Sequence, residues 1–232
     1  MYLAHYGLVE KPFQISPDPR FLWLGENHQE ALATMKYAVL SNQGFLLLTG
    51  DVGTGKTTLI NALVRSLGSD TLAATVFHPR LEAIEFMNTV ARAFSHSDLN
   101  FTKRLDFITW FTGFLKNAHD GGLKVLLIID EAQTLALELL EEIRLLSNIE
   151  RPQSKLLNVF FVGQNEFNDI LGSEQCKALR QRITNNYNIR PLSRDEKTKQ
   201  YVHHRLRVAG AKREIFAAAA IKEVPSPTAT LA

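Results

Sequence analysis

Cysteine is nearly missing: Cys176 stands alone among 232 residues, which excludes an intramolecular disulfide framework and any metal site built from several thiolates. Long apolar runs are missing too. Val125–Ile129 and Phe216–Ile221 are among the longest, far short of the roughly 18 residues that a membrane span needs. Charge of one sign is equally scarce. Lys plus Arg number 26 against 24 Asp plus Glu, and a formal net charge of +2 gives no nucleic-acid footprint by itself. The opening Met1-Tyr2-Leu3-Ala4-His5-Tyr6 has no basic stretch leading into an apolar one, so no signal peptide is expected and the cytosol is the expected compartment. What the chain does have is 45% hydrophobic and 22% charged residues, the balance of a folded protein, and room for one full domain and part of a second.

Residues 1–26 are dense in aromatics and prolines without a clear period, and are expected to form an irregular arm packed on the core. From His28 to Leu40, Leu32, Met35 and Val39 have helical spacing. Five short apolar runs follow: Phe45–Thr49, Ala73–Phe77, Val125–Ile129, Leu157–Val162 and Tyr187–Ile189. Helical stripes separate them, Ala83 to Phe94 and Leu105 to Ala118 among these. Apolar strands alternating with helices predict a parallel sheet covered on both faces, a three-layer α/β domain over residues 27–190. After Pro191, Ser193 and Glu196 make a capping-box pair and Gly210 a stop, so a small helical segment is expected over 191–224. Residues 225–232 read as a flexible tail.

The sharpest motif is Gly50-Asp51-Val52-Gly53-Thr54-Gly55-Lys56-Thr57, followed by Thr58, which fits G-x-x-x-x-G-K-[ST] between an apolar run and a helical stripe through Ile60, Leu63, Val64 and Leu67. Glycines let backbone N–H groups converge on phosphate oxygens, and the helix start adds positive potential. Lys56 is expected to reach the β- and γ-phosphates and the Thr57 hydroxyl to ligate Mg²⁺. The third run ends in Asp130-Glu131. A buried parallel strand puts that aspartate on the rim of the sheet that carries the phosphate loop, where it would hold the Mg²⁺ shell. Glu131 beside it would orient or deprotonate the water that attacks the γ-phosphate, which favours hydrolysis over transfer to an acceptor.

Through these residues and others along it, the chain resembles an AAA+ ATPase of the general secretion pathway protein A group, which includes the MSHA pilus-biogenesis ATPases. The resemblance runs over roughly residues 1–216 and is carried by several segments. They are Tyr2 to Leu8 with Lys11-Pro12-Phe13 and Pro17 to Leu22, His28-Gln29-Glu30-Ala31-Leu32, Gly50–Thr58, Asp130-Glu131-Ala132-Gln133, Val162-Gly163-Gln164, Leu179 to Ile183 and Pro191-Leu192. It implies the P-loop NTPase three-layer sandwich with a parallel five-stranded sheet, Walker A and Walker B motifs, ATP and Mg²⁺ as cofactors, and a helical lid. It further implies that the fourth strand inserts between the first and third. Gln164 would then be the sensor residue near the γ-phosphate, and Arg182, or else Arg180, the arginine finger reaching a neighbouring subunit's ATP. His28, with Phe21 and Leu22, corresponds to the adenine-side segment or simply starts its helix. The family's Gly-x-Pro-Arg lid motif has no counterpart, because no arginine follows Arg213, so the lid reads as truncated or divergent.

The resemblance implies a homo-oligomer with ATP at the subunit interface, acting as a switch in secretin or type IV/MSHA pilus assembly, at the inner membrane only through a partner. Two other readings are a DNA-associated transposition-helper-like ATPase, disfavoured by the +2 charge, and a nucleotide-dependent interaction module with little turnover. The seven histidines show no metal-ligand spacing, Cys176 is read as a packed thiol, and Glu138, Glu141 and Glu142 as a solvated helix face. The basic run Arg190, Arg194, Lys197, Lys199, Arg205 and Arg207 is read as a solvated surface.

Overall fold

The computed structural model describes residues 2–14, 19–21, 23–77, 79–152, 154–189, 196–216 and 220–221. Helix α1 (Tyr2–Tyr6) opens the arm, and α2 (Glu26–Leu40) leads into β1 (Phe45–Gly50). Then come α3 (Lys56–Ser66), β2 (Thr71–Val76), α4 (Ala83–Ser95), α5 (Arg104–Asp120), β3 (Lys124–Ile129) and α6 (Leu137–Leu146). A short antiparallel hairpin, β4 (Glu150–Arg151) and β5 (Ser154–Lys155), precedes β6 (Asn158–Gly163). The chain continues through α7 (Glu166–Gly172), α8 (Lys177–Arg180), β7 (Ile183–Ile189) and α9 (Glu196–Val208).

Five strands form one parallel sheet in the order β2-β3-β6-β1-β7, so the expected α/β class and strand insertion both hold. Every residue of β1 and of β6 is buried, as central strands covered on both faces require. Successive side chains alternate between two cores. Phe45, Leu47, Leu127, Ile129, Val159 and Phe161 face a cluster completed by α4 to α8, including Phe86, Phe107, Phe111 and Cys176. Leu46, Leu48, Leu126, Ile128, Phe160 and Val162 face the opposite cluster with Ala31, Met35, Leu59, Ile60 and Leu63 of α2 and α3. Each fully buried Leu, Ile or Phe stabilises such a fold by about 1.5–3 kcal/mol.

Two strands differ from the sequence reading by two residues or more. Strand β7 begins at Ile183, four residues before Tyr187, and most of it is polar: Thr184, Asn185, Asn186 and Asn188. It is an edge strand pairing only with β1, so one face stays open to water and no apolar run marks its start. Strand β2 spans Thr71–Val76 rather than Ala73–Phe77, leaving the Phe77 side chain exposed. Ser193 of the expected capping box and residues 225–232 lie outside the described residues.

The arm departs from expectation in where it packs. Leu24 joins the cluster under α2 and α3, but Leu8 and Phe21 pack on Ala209 just past α9, and Val9 N–H donates to the Ala209 carbonyl (2.8 Å). Arg205 of α9 is the clamp. Its guanidinium lies 5.0 Å from the Phe21 ring centroid, 5.8 Å from Phe13 and 5.6 Å from Tyr201, while Nε donates to the Pro12 carbonyl (2.6 Å). A cation over several rings plus a charge-assisted bond stabilises by about 1–3 kcal/mol. We therefore expect Arg205→Ala to lose about that much by denaturant unfolding and to speed protease cleavage within residues 2–14. Unchanged stability and cleavage would mean that the arm holds without it.

Candidate functional site

All five strands of the sheet are parallel, so Gly50, Asp130, Gln164 and Ile189 stand at one rim. There the phosphate loop closes on itself. Thr54, buried, donates from Oγ1 to the Asp51 carbonyl (2.8 Å), and Gly53 and Gly55 take φ of 77° and 88°. Gly55 caps α3 in the left-handed region, which turns the chain so that the first N–H groups of the helix point outward without intrahelical acceptors. Asp51, Val52 and Gly53 are exposed along the loop, and Thr58 is half-buried in the first turn of α3.

Lys56 Nζ donates to the carbonyls of Gly50 (2.8 Å) and Asp51 (2.9 Å), folded back over the loop it would leave for a phosphate. Burial holds its ammonium below the ordinary 10.5, and the carboxylates of Glu131, Asp130, Asp51 and Glu166 oppose that shift. Across the crevice, Thr57 Oγ1 donates to Asp130 Oδ2 at 3.1 Å, and Asp130, 6% exposed, accepts from the Glu131 N–H at Oδ1 (2.9 Å). A hydroxyl and a buried carboxylate, both hard oxygen donors, converge here and could hold a hard cation. Among the described residues no group of three or more His, Cys, Asp or Glu side chains could hold a metal by itself.

Glu131 follows in an unusual backbone state, φ 55° and ψ 39°, left-handed for a residue with a Cβ. Such a conformation costs about 1 kcal/mol and persists only where its surroundings enforce it. Here its carbonyl accepts from both the N–H (2.9 Å) and the hydroxyl (2.8 Å) of Thr134. Gln164 lies beside Asp51, Val52 and Glu166 along an open crevice of about 360 Å³. His28, buried on α2, sits 2.9 Å through Nε2 from the Thr54 carbonyl, bracing the loop from behind; its Nδ1 is buried without a hydrogen-bond partner among the described residues. Phe21 is turned toward Ala209, and Leu22 lies outside the described residues.

Arg180 and Arg182 do not join these groups. They precede Ile183, whose partner on β1 is Phe45, whereas Ile189 pairs with Gly50. The length of a seven-residue strand, about 20 Å, separates them from their own phosphate loop. Arg182 Nη1 donates to Ser147 Oγ (2.6 Å) and the Arg144 carbonyl (3.4 Å) at the end of α6, while Arg180 is exposed and donates to the Gly172 carbonyl (3.3 Å). Arg205, clamping the arm, leaves the basic run; Arg190 and Arg194 lie outside the described residues.

Three side chains at this rim escaped the sequence reading. Asn165 donates to Asp51 Oδ1 (2.6 Å), and Asn188 donates to Asn165 Oδ1 (2.6 Å) and Thr49 Oγ1 (3.0 Å), lacing the ends of β1, β6 and β7 together. Gln133 donates from Nε2 to Glu131 Oε2 (2.5 Å) and accepts from the Gln164 N–H at Oε1 (3.1 Å). Asn165, a polar residue close behind the buried β6, offered a signal; Asn188 inside the edge strand β7 and Gln133 four residues past β3 did not.

A parallel sheet in this order with a phosphate loop after β1 and an acidic pair after β3 defines the AAA class of P-loop NTPases. The AAA domain family model matches residues 39–171, and the chain belongs to that family. Within it the chain is similar to general secretion pathway protein A of Aeromonas hydrophila, with 38% identity over 225 residues, 96% of this chain and 40% of that protein. It thus belongs to the group of that protein while spanning less than half of its length. Among solved structures, the ORC2 protein of Aeropyrum pernix in its ADP form superposes with a TM-score of 0.68 at 17% identity, covering 91% of this chain and 59% of that one. Cdc6p of Pyrobaculum aerophilum gives 0.63 at 18% identity, covering 89% and 57%. These two share the fold.

Proposed function

We propose that this chain binds and hydrolyses Mg²⁺-ATP and acts as an assembly switch in secretion or in type IV/MSHA pilus biogenesis. The observation that supports the reading is the 3.1 Å contact between Thr57 Oγ1 and Asp130 Oδ2, a hydroxyl and a carboxylate beside the phosphate loop that would suit a metal ion. The loop N–H groups and Lys56 bind the polyphosphate, Lys56 exchanging two carbonyl partners for phosphate oxygens. Mg²⁺, held by Thr57 and Asp130, would neutralise charge on the phosphate oxygens. Glu131 orients a water whose oxygen attacks the γ-phosphorus. The bond to the β–γ bridging oxygen breaks, ADP leaves with that electron pair, and the water's proton passes to Glu131. Gln164 holds the γ-phosphate or the water from the neighbouring strand, and His28 keeps the loop in register for adenosine-side binding.

Arg182 or Arg180, remote from its own loop, would act on a neighbouring subunit's nucleotide in a homo-oligomer. A partner in secretion fits the name of the relative from Aeromonas hydrophila; a secretin or pilus assembly protein is the partner we propose, and it would bring the ATPase to the inner membrane. No helix among the described residues is long and apolar enough to cross a membrane. Single-turnover assays with radiolabelled ATP test the reading. Phosphate release that stops on chelation of Mg²⁺ is expected; tight nucleotide binding without release would make the chain an interaction module instead.

A further inference from the structure

Gln133 is unused by the steps above, yet it touches two of their participants. Its amide spans from Glu131 Oε2, at 2.5 Å, to the backbone N–H of Gln164, at 3.1 Å. The two bonds use opposite ends of one planar group, so the distance between Glu131 and the end of β6 is set by the length of the amide. The surroundings are cut to that shape. Gly163, the last residue of β6, lies so close that a Cβ there would meet Gln133 Oε1 at 2.9 Å. Gln133 itself sits in a short helical turn, Ala132–Thr134, which follows the left-handed Glu131 and whose Ala132 is fully buried. The twist at Glu131 and the absent side chain at Gly163 thus both accommodate one glutamine.

Resting on the hydrolytic reading, we infer that Gln133 is the positioning residue for Glu131. Its N–H fixes one carboxylate oxygen and leaves the other to receive the proton of the attacking water. Its carbonyl ties that orientation to the strand end that carries Gln164. A carboxylate held by one donor has one rotation to offer; a free carboxylate spreads over several, and misplacement by about 1 Å costs on the order of a hundredfold in rate. The link also makes Glu131 responsive to any displacement of β6 and α7, because the bond to the Gln164 N–H moves with them.

The test uses the full chain with Mg²⁺-ATP under single-turnover conditions, and a non-hydrolysable ATP analogue to measure affinity. Gln133→Leu keeps the bulk and loses both bonds. It is expected to slow hydrolysis about a hundredfold with analogue affinity unchanged within about twofold. Gln133→Asn, too short to span, should behave likewise, and Gly163→Ala should slow the wild type but add nothing to Gln133→Ala. In a Glu131→Gln background, Gln133→Leu should have no further effect, because it acts through Glu131. The inference is overturned if Gln133→Leu hydrolyses within about twofold of wild type, if its loss is all in affinity, or if the loss persists undiminished in the Glu131→Gln background. Failure of the hydrolytic reading looks different: the wild type itself then releases no phosphate, and the role assigned to Gln133 falls with it.

Discussion

Glu131→Gln should bind Mg²⁺-ATP as tightly as the wild type and hydrolyse it about 10²–10⁴-fold more slowly. Glutamine is nearly isosteric, so the left-handed turn at Glu131 and the Thr134 bonds to its carbonyl survive the change. What disappears is the charge that can take a proton, and general-base catalysis by a positioned carboxylate is worth that range. Thr57, Asp130 and the loop are left intact, so affinity should hold. Filter binding beside a single-turnover assay separates the two quantities. An unchanged rate would remove Glu131 from the mechanism, and lost binding would mean that its role is structural.

Arg182→Ala is expected to act only where subunits meet. A finger supplied by a neighbour is worth about 10³–10⁵ in rate, and Arg182 stands about 20 Å along β7 from its own loop. Its bonds to Ser147 and the Arg144 carbonyl anchor the guanidinium at the end of α6. Ser147→Ala tests that anchor, and should cost about 1 kcal/mol of stability without removing the charge. Mixing is the decisive arm. Arg182→Ala and Glu131→Gln chains, each slow alone, should regain hydrolysis together, because one mixed interface pairs an intact Glu131 with an intact Arg182. No recovery, or equal loss in a dilute monomer, contradicts the assignment. Arg180→Ala giving the recovery instead would move the finger two residues back.

How much of this was legible in the residues depends on how local the chemistry is. Gly50 to Thr57 and Asp130-Glu131 declare themselves because loop, helix start and carboxylates are contiguous, each flanked by an apolar run that becomes a buried strand. The two-faced cores follow from the same runs. The polar residues of β7 hid its start, since an edge strand with a wet face has no continuous apolar signal. Gln133 stood in a motif that drew attention but had no assigned work; its partners are a neighbour two residues back and a backbone N–H 31 residues on, and only the fold joins them. The same holds for Asn165 and Asn188, and for the arm, whose Pro12 carbonyl meets Arg205 across 193 positions. Such contacts are set by topology, not by spacing.

The proposed link that everything else requires would join the loop to Asp130 through one metal ion. Calorimetric titration of the wild type and of Asp130→Asn with ATP, with and without Mg²⁺, measures it directly. The wild type should bind at least about tenfold more tightly with Mg²⁺, and Asp130→Asn should lose that gain while keeping the metal-free affinity, since Lys56 and the loop N–H groups are untouched. No binding to the wild type, or the same magnesium dependence in both chains, would contradict the site as built here.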